Sequence, residues 1–184
     1  MQTEREKMIA GILYKADDPD LVARRLVARE LVKSFNDSAP TEESTRRALL
    51  GKLFHSLGER ITIEPPFHCD YGDNIKIGND FFANFGCVFL DCNEITIGNN
   101  VMMASYVQFY TAHHPLDAAT RNSGLELASP IKIGNSVWIG GGAIILPGVE
   151  IGDEAVIGAG SVVSRSIPPR VVAVGNPCRV IKQL

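Results

Sequence analysis

Two adjacent histidines, His113 and His114, open a stretch that also holds Pro115, Asp117, Arg121, Asn122, Gly124 and Glu126. A neutral imidazole can take a proton from a hydroxyl near pH 7, so either histidine is a candidate general base. Glu126, farther along the same stretch, could orient that imidazole as a carboxylate does in other catalytic pairs, or could be a solvated loop residue. Asn84 is a second candidate, because in Phe81-Phe82-Ala83-Asn84-Phe85 a polar amide stands among aromatic side chains. Such an amide must find partners or face outward. It could belong to an asparagine ladder at a corner, or donate to a developing oxyanion, and Asp91 raises the same question farther on. The remaining histidines, His55 and His68, fall on an expected helix and an early strand.

These residues border or interrupt a repeat. From Ile133 the chain reads in sixes: IGNSVW, IGGGAI, ILPGVE, IGDEAV, IGAGSV, VSRSIP. An aliphatic residue opens each block, and Val137, Ala143, Val149, Ala155, Ser161 and Ile167 take the fifth place. A helix would space apolar residues by three and four, and a flat strand would alternate them. One aliphatic residue every six, followed by small or turn-forming residues, predicts a parallel β-helix of short strands and corners. The openers should point inward and stack, with coils about 4.8 Å apart. Gly, Asn and Asp would tolerate the positive φ that corners demand.

Ile75-Lys76-Ile77-Gly78 and Ile95-Thr96-Ile97-Gly98 open earlier sets of the same kind, but the repeat stops at Thr111 and returns at Ile131. Residues 111–130 therefore form an insertion in a regular solenoid, which is commonly functional. It is expected to bulge from one corner and reach a neighbouring subunit.

Residues 1–58 read as a helical region ahead of a solenoid spanning 59–184. Thr3 and Glu6 have capping-box spacing for a helix running to Tyr14. Asp18 and Pro19 suit the cap and first turn of a second helix, to Asn36. A third starts at Pro40-Thr41 and stops at Gly58. Residues 168–184, with Pro168-Pro169 and Gly175-Asn176-Pro177, read as a capping segment over the open end of the stack.

A hydrophobic content of 45% supports a real core, and a net charge of −3 gives no electrostatic case for nucleic acid or an acidic membrane surface. No signal peptide and no stretch able to span a bilayer is read. The four cysteines contain no CxxC, which argues against a zinc ribbon or a disulfide framework and for buried thiols in a cytoplasmic protein. A zinc site of the γ-type carbonic anhydrase kind needs three histidines, and the spacing of His68, His113 and His114 does not suit it, so no metal is expected. A non-catalytic scaffold would leave the loop histidines and the basic C-terminal residues without a purpose.

The segments EKMIAGILY, CDYGDNIKIGNDFFANFGCVFLD, YTAHHPLDAATRNSGLELASPIKIGNSVWIGGGAIILPGV and GNPCRVIKQL resemble the maltose and galactoside O-acetyltransferases. The likeness covers nearly the whole chain and leans to the maltose type in RNSGLELASP. It implies a mainly β fold, a left-handed parallel β-helix of hexapeptide repeats with an N-terminal α-helical region and an inserted loop. It implies a homotrimer with active sites between adjacent subunits. The implied reaction moves acetyl from acetyl-CoA directly to a sugar hydroxyl of the maltose, glucose or galactoside type, with a non-sugar hydroxyl as the alternative.

By the same resemblance the histidine before the proline, His114, is the base, and Asn84 serves the transition state. Asp70 with Tyr71, Asn84, Asp91 and an N-terminal acid would hold the acceptor. Ala16 matches that last position, with Asp17 and Asp18 adjacent and Asp17 taken as the candidate, and Cys92 stands where relatives have an acid. Ala104, Gly141, Ala159, Ser164, Arg165, Arg179 and Lys182 match the acetyl-CoA site. Small residues there would let a thin pantetheine arm lie against backbone, and Arg165, Arg179 and Lys182 would supply cations for phosphates. Trp138 would pack at that groove or at the trimer contact.

Overall fold

The computed structural model describes residues 2–184. Short parallel strands stack into three faces around one core. The six aliphatic openers from Ile133 to Val163 and the six fifth-place residues are all buried, as the period requires. The fold is thus the parallel β-helix of hexapeptide repeats expected from the sequence. Up its axis Phe54, Phe67, Phe89 and Phe109 form a column, edge-to-face at 5.7 and 5.2 Å and then stacked at 4.6 Å, favoured geometries for buried rings.

The faces differ in what they show to solvent. One, built on Ile75–Ile77, Ile95–Ile97, Ile131–Ile133 and Glu150–Ile151, is polar. Lys76 pairs with Glu94 at 2.5 Å and Lys132 with Glu150 at 3.0 Å on it. The next, on Phe81–Ala83, Met102–Met103, Trp138–Ile139 and Val156–Ile157, is apolar. Phe82, Met102, Trp138 and Val156 lie in register along it, and Trp138 is 52% exposed. The third carries Val88–Leu90, Gln108–Tyr110, Ile144–Ile145 and Val162–Val163. Each coil runs polar, apolar, third face in that order.

At the corner between polar and apolar faces the glycines do a different job from the one expected. The residues with positive φ are Arg60, Asp80, Asn100, Ser136, Glu154 and Arg170, not Gly58, Gly78, Gly98, Gly134 and Gly152, which stand two places before the first five. What glycine supplies is room: a Cβ on Gly58 would lie 2.4 Å from the Gly78 carbonyl, and one on Gly78 2.7 Å from that of Gly98. Asn79, Asn99, Asn135 and Asp153 then form a ladder, each side-chain oxygen accepting from the backbone N–H one coil away.

Helix α1 (Glu4–Ile9) has the capping box read from Thr3 and Glu6. It ends well before Tyr14, however: Gly11 takes φ +71°, and Tyr14–Lys15 is a strand. Of the helix's apolar side chains Met8 is buried and Ile9 exposed. Helix α2 (Pro19–Asn36) has Asp18 as cap and Pro19 in its first turn, and buries Leu21, Ala28, Val32 and Phe35. Helix α3 (Glu43–Leu53) stops short of the expected Gly58, because Ser56–Leu57 already pairs with Lys76 and Ile77 as part of the first coil. Helices α2 and α3 cover the open end of the stack, their apolar side chains merging with its core.

The insertion leaves the corner between the third and polar faces. It is a hairpin of Ala112–His113 and Leu125–Ala128 with helix α4 (Ala118–Asn122) at its tip. Tyr14–Lys15 joins it as a third antiparallel strand, Tyr14 opposite Glu126. At the far end Val171–Val174 and Arg179–Gln183 form an antiparallel pair that extends the apolar face.

Candidate active site

Three parts of the chain enclose a cavity of about 330 Å³. The N-terminal helical region gives Tyr14, Ala16, Arg25 and Arg29; the coils give Asp70, Tyr71 and Cys92; the insertion gives Ala112, His114 and Glu126. His114, Glu126, Asp70 and Tyr71, singled out from sequence, therefore share one wall-to-wall space. Arg25 and Arg29 were missed as site residues. Their spacing puts both on one side of α2, but nothing in the sequence says which side faces the insertion.

The two neighbouring histidines part company here. Strand alternation turns His113 away, and its Nε2 lies 3.2 Å from Ser129 Oγ at the base of the hairpin. His114 is exposed at the cavity. Glu126 does not hydrogen-bond His114; its Oε2 accepts from Tyr14 Oη at 2.9 Å. Burial, with Cys92 and Glu126 nearby, raises the Tyr14 phenol well above its ordinary range, so it stays a donor.

Arg25 reads as a fixed strut. One guanidinium N–H donates to Tyr71 Oη at 2.5 Å and another to the Ala16 carbonyl at 2.6 Å. Burial raises the Asp70 carboxyl, against the lowering effect of the Cys92 thiol and of Arg25 and Arg29. Cys92 Sγ lies 3.5 Å from Asp70 Oδ2, and burial also raises that thiol.

Three of the expected acceptor residues, Asp17, Asp91 and Asn84, lie outside the cavity. Asp17 is exposed and does not line the cavity, where Ala16 stands instead. Asp91 is 0% exposed and sits beneath the wall. Its Oδ1 accepts the backbone N–H groups of Asp70 at 3.0 Å and Tyr71 at 2.8 Å. Burial raises its carboxyl to about 8.

Asn84 is also outside the cavity. It occupies the corner between the apolar and third faces, and its Oδ1 accepts from the Phe85 N–H at 2.7 Å. That bond fixes the amide so that Nδ2, without a partner among the described residues, can donate outward. Ala104, Gly141 and Ala159 fall at the same corner in successive coils, where the Gly142 N–H donates to the Ser105 carbonyl and the Gly160 N–H to the Gly141 carbonyl. A Cβ on Gly142 or Gly160 would meet nothing within 4 Å, so open space runs along this edge. From Asn84 to Ala159 is three coil steps, about 14 Å.

Ser164 and Arg165 lie instead at the corner between the third and polar faces, the edge from which the insertion leaves. Arg179 and Lys182 lie on the exposed last strand. The candidate residues thus divide between the two edges of the third face, with Asn84, Ala104, Gly141 and Ala159 on one and His114, Ser164 and Arg165 on the other.

Among the described residues no three His, Cys, Asp or Glu side chains converge to hold a metal ion, and no helix is long and apolar enough to cross a membrane.

Residues 7–58 match the family model described as maltose acetyltransferase hexapeptide capping motif, and residues 130–165 that described as bacterial transferase hexapeptide (six repeats). A putative acetyltransferase of Dictyostelium discoideum is 52% identical, over 99% of this chain and 95% of its own length. The structure of a maltose O-acetyltransferase from Clostridium difficile 630 superposes with a TM-score of 0.99 at 55% identity, covering 100% of this chain and 98% of that one. A galactoside acetyltransferase in complex with coenzyme A superposes with a TM-score of 0.96 at 43% identity, covering 100% of this chain and 92% of that one.

Proposed function

Because the chain belongs to the maltose and galactoside O-acetyltransferase family of hexapeptide-repeat enzymes, we propose that this acetyltransferase moves acetyl from acetyl-CoA to a sugar hydroxyl. The cavity carries this reading. Its wall combines groups that only donate, Arg25 and Arg29, with the carboxylates Asp70 and Glu126, and two aromatic rings. A neutral polyol both donates and accepts at every hydroxyl, so it suits such a wall better than an anion or a cation does.

His114 takes the proton of the attacking hydroxyl as its oxygen bonds to the acetyl carbonyl carbon. Asn84 Nδ2 donates to the oxyanion that forms. The carbon–sulfur bond then breaks, and the imidazolium returns its proton to the leaving thiolate. The acetyl moves directly, without an acyl-enzyme. A relative of this fold binds coenzyme A, and the open edge beside Ala104, Gly141 and Ala159 suits a thin pantetheine arm. Arg165, Arg179 and Lys182 supply phosphate partners.

The site is completed by a second copy. His114 and Asn84 stand on opposite edges of one face, so a single chain does not bring them to one acetyl group. Packing the apolar edge of one copy against the insertion edge of the next does so three times in a closed ring. The ladder of Phe82, Met102, Trp138 and Val156 is the apolar surface available for that contact. The protein works in the cytoplasm, where acetyl-CoA and reducing conditions occur together.

The test is thiol release from acetyl-CoA with maltose, glucose and galactosides in turn. A sugar-dependent rate in the wild type that falls about 10²–10⁴-fold in His114→Ala supports the reading. A rate that no sugar stimulates, or a His114→Ala variant of near-normal activity, refutes it.

A further inference from the structure

Buried polar side chains are uncommon and each needs its partners. Among the described residues Asn74, Asp91, Asn93, Thr111 and Ser161 are the buried ones, and four of these five lie together under the acceptor cavity rather than scattered through the coils. Asn74 Nδ2 donates to the Asp91 carbonyl at 2.7 Å, and Asp91 holds the Asp70–Tyr71 backbone. Thr111 Oγ1 donates to the Leu90 carbonyl and accepts from the Asn93 N–H at 2.9 Å.

Asn93 reaches the two parts that the coils do not contain. Its Nδ2 lies 3.1 Å from the carbonyls of Met8 and Ile9 at the end of α1, and 3.2 Å from that of Ala128 in the insertion. Two N–H bonds thus serve three carbonyls, two of them at a helix terminus, where the Met8 carbonyl also accepts from the Gly11 N–H at 3.2 Å. Oδ1 is held by the Glu94 N–H at 2.7 Å, so the amide cannot turn over without setting its oxygen against those carbonyls. The α1 end leads straight to Tyr14 and Ala16, and Ala128 closes the hairpin that carries His114 and Glu126. Asn93 is itself 3% exposed and does not line the cavity.

We infer that Asn93 is a positioning residue that fixes the N-terminal wall of the acceptor cavity against the His114-bearing insertion, and so sets how the acceptor, not acetyl-CoA, is bound. This rests on the function proposed above. The acetyl-CoA candidates Ala104, Gly141 and Ala159 lie on the other edge of the third face and touch none of the groups that Asn93 holds, so they should not feel the change.

The test compares wild type, Asn93→Leu and Asn93→Ser by acceptor saturation, acetyl-CoA saturation and hydrogen exchange. In Asn93→Leu, which has no donor, acceptor kcat/KM should fall roughly tenfold or more. Asn93→Ser, with one donor left, should fall between. The acetyl-CoA KM should stay unchanged, and amides of residues 14–15 and 125–128 should exchange faster while the coils keep their protection. A loss shared equally between the two substrates, or unchanged exchange at 14–15, overturns the proposal. If the leucine variant does not fold, undiminished acceptor kcat/KM in Asn93→Ser overturns it. A wild type that turns over no sugar refutes the proposed function instead, and exchange alone then decides the role of Asn93.

Discussion

Replacing Asp91 by asparagine should change how stability depends on pH. The Asp91 carboxyl is fully buried, its Oδ1 holds two backbone amides, and its Oδ2 has no hydrogen-bond partner among the described residues. Burial, opposed by those amide bonds and reinforced by Asp70, raises it from an ordinary 3.8 to about 8. Below about pH 4 folded and unfolded chains both hold the proton. Between about 4 and 8 the folded chain keeps it and the unfolded chain has released it, so stability falls as pH rises, by about 1.4 kcal/mol per unit and to a ceiling of roughly 6 kcal/mol. The side chain introduced by Asp91→Asn keeps the oxygen that the two amides need but cannot ionise. Its buried NH₂ lacks a partner, at a cost of about 1–3 kcal/mol. The variant should therefore be slightly less stable than wild type near pH 4.5 and more stable near pH 8. Urea melts of both proteins from pH 4.5 to 8.5, at one protein concentration because an oligomer's stability depends on it, read the difference directly. A difference that does not vary with pH would mean that Asp91 ionises as an ordinary carboxylate and that the account of its burial is wrong.

Two further substitutions probe the surfaces. Ala159→Leu places a branched side chain in the open edge beside Gly160; because Ala159 is exposed, the melting temperature should hold while the acetyl-CoA KM rises tenfold or more, and an unchanged KM removes that edge from the acetyl-CoA site. Trp138→Glu puts a charge in the centre of the apolar ladder. Burying an unpaired charge there costs several kcal/mol, so the variant should run as a monomer in sedimentation; a variant that sediments as wild type shows that this face is not the contact.

Much of the coil was readable because its pattern is set by burial. Each opener from Ile133 to Val163 must point inward or lose its place in the stack, and the sequence cannot hide that. The corners were half legible: Gly86, Gly142, Gly148 and Gly160 take the positive φ expected of corner glycines, but the glycines of the Gly-Asn and Gly-Asp pairs serve the close approach of one coil to the next, a tertiary demand that a list of turn-forming residues does not contain. Tyr14 was misplaced in a helix because the strand it joins is Leu125–Ala128, more than half the chain away, and the Gly11 turn that frees it looks locally like one more helical residue. His114 could be told from His113 only by the family likeness; in the fold, strand alternation turns one to Ser129 and the other to the cavity. Asn93 carried no signal at all, since in NEITIG it resembles any corner asparagine, and its partners Met8, Ile9 and Ala128 come together only in three dimensions. The separation of Asn84 from His114 needed the winding order of the faces.

The most direct measurement mixes two variants, His114→Ala and Asn84→Ala, each inactive alone, by unfolding and refolding them together in equal amounts. If each site takes His114 from one copy and Asn84 from its neighbour, random mixing restores about one site in four, so roughly a quarter of wild-type activity should return. A mixture no more active than the two variants kept apart would contradict a site shared between copies.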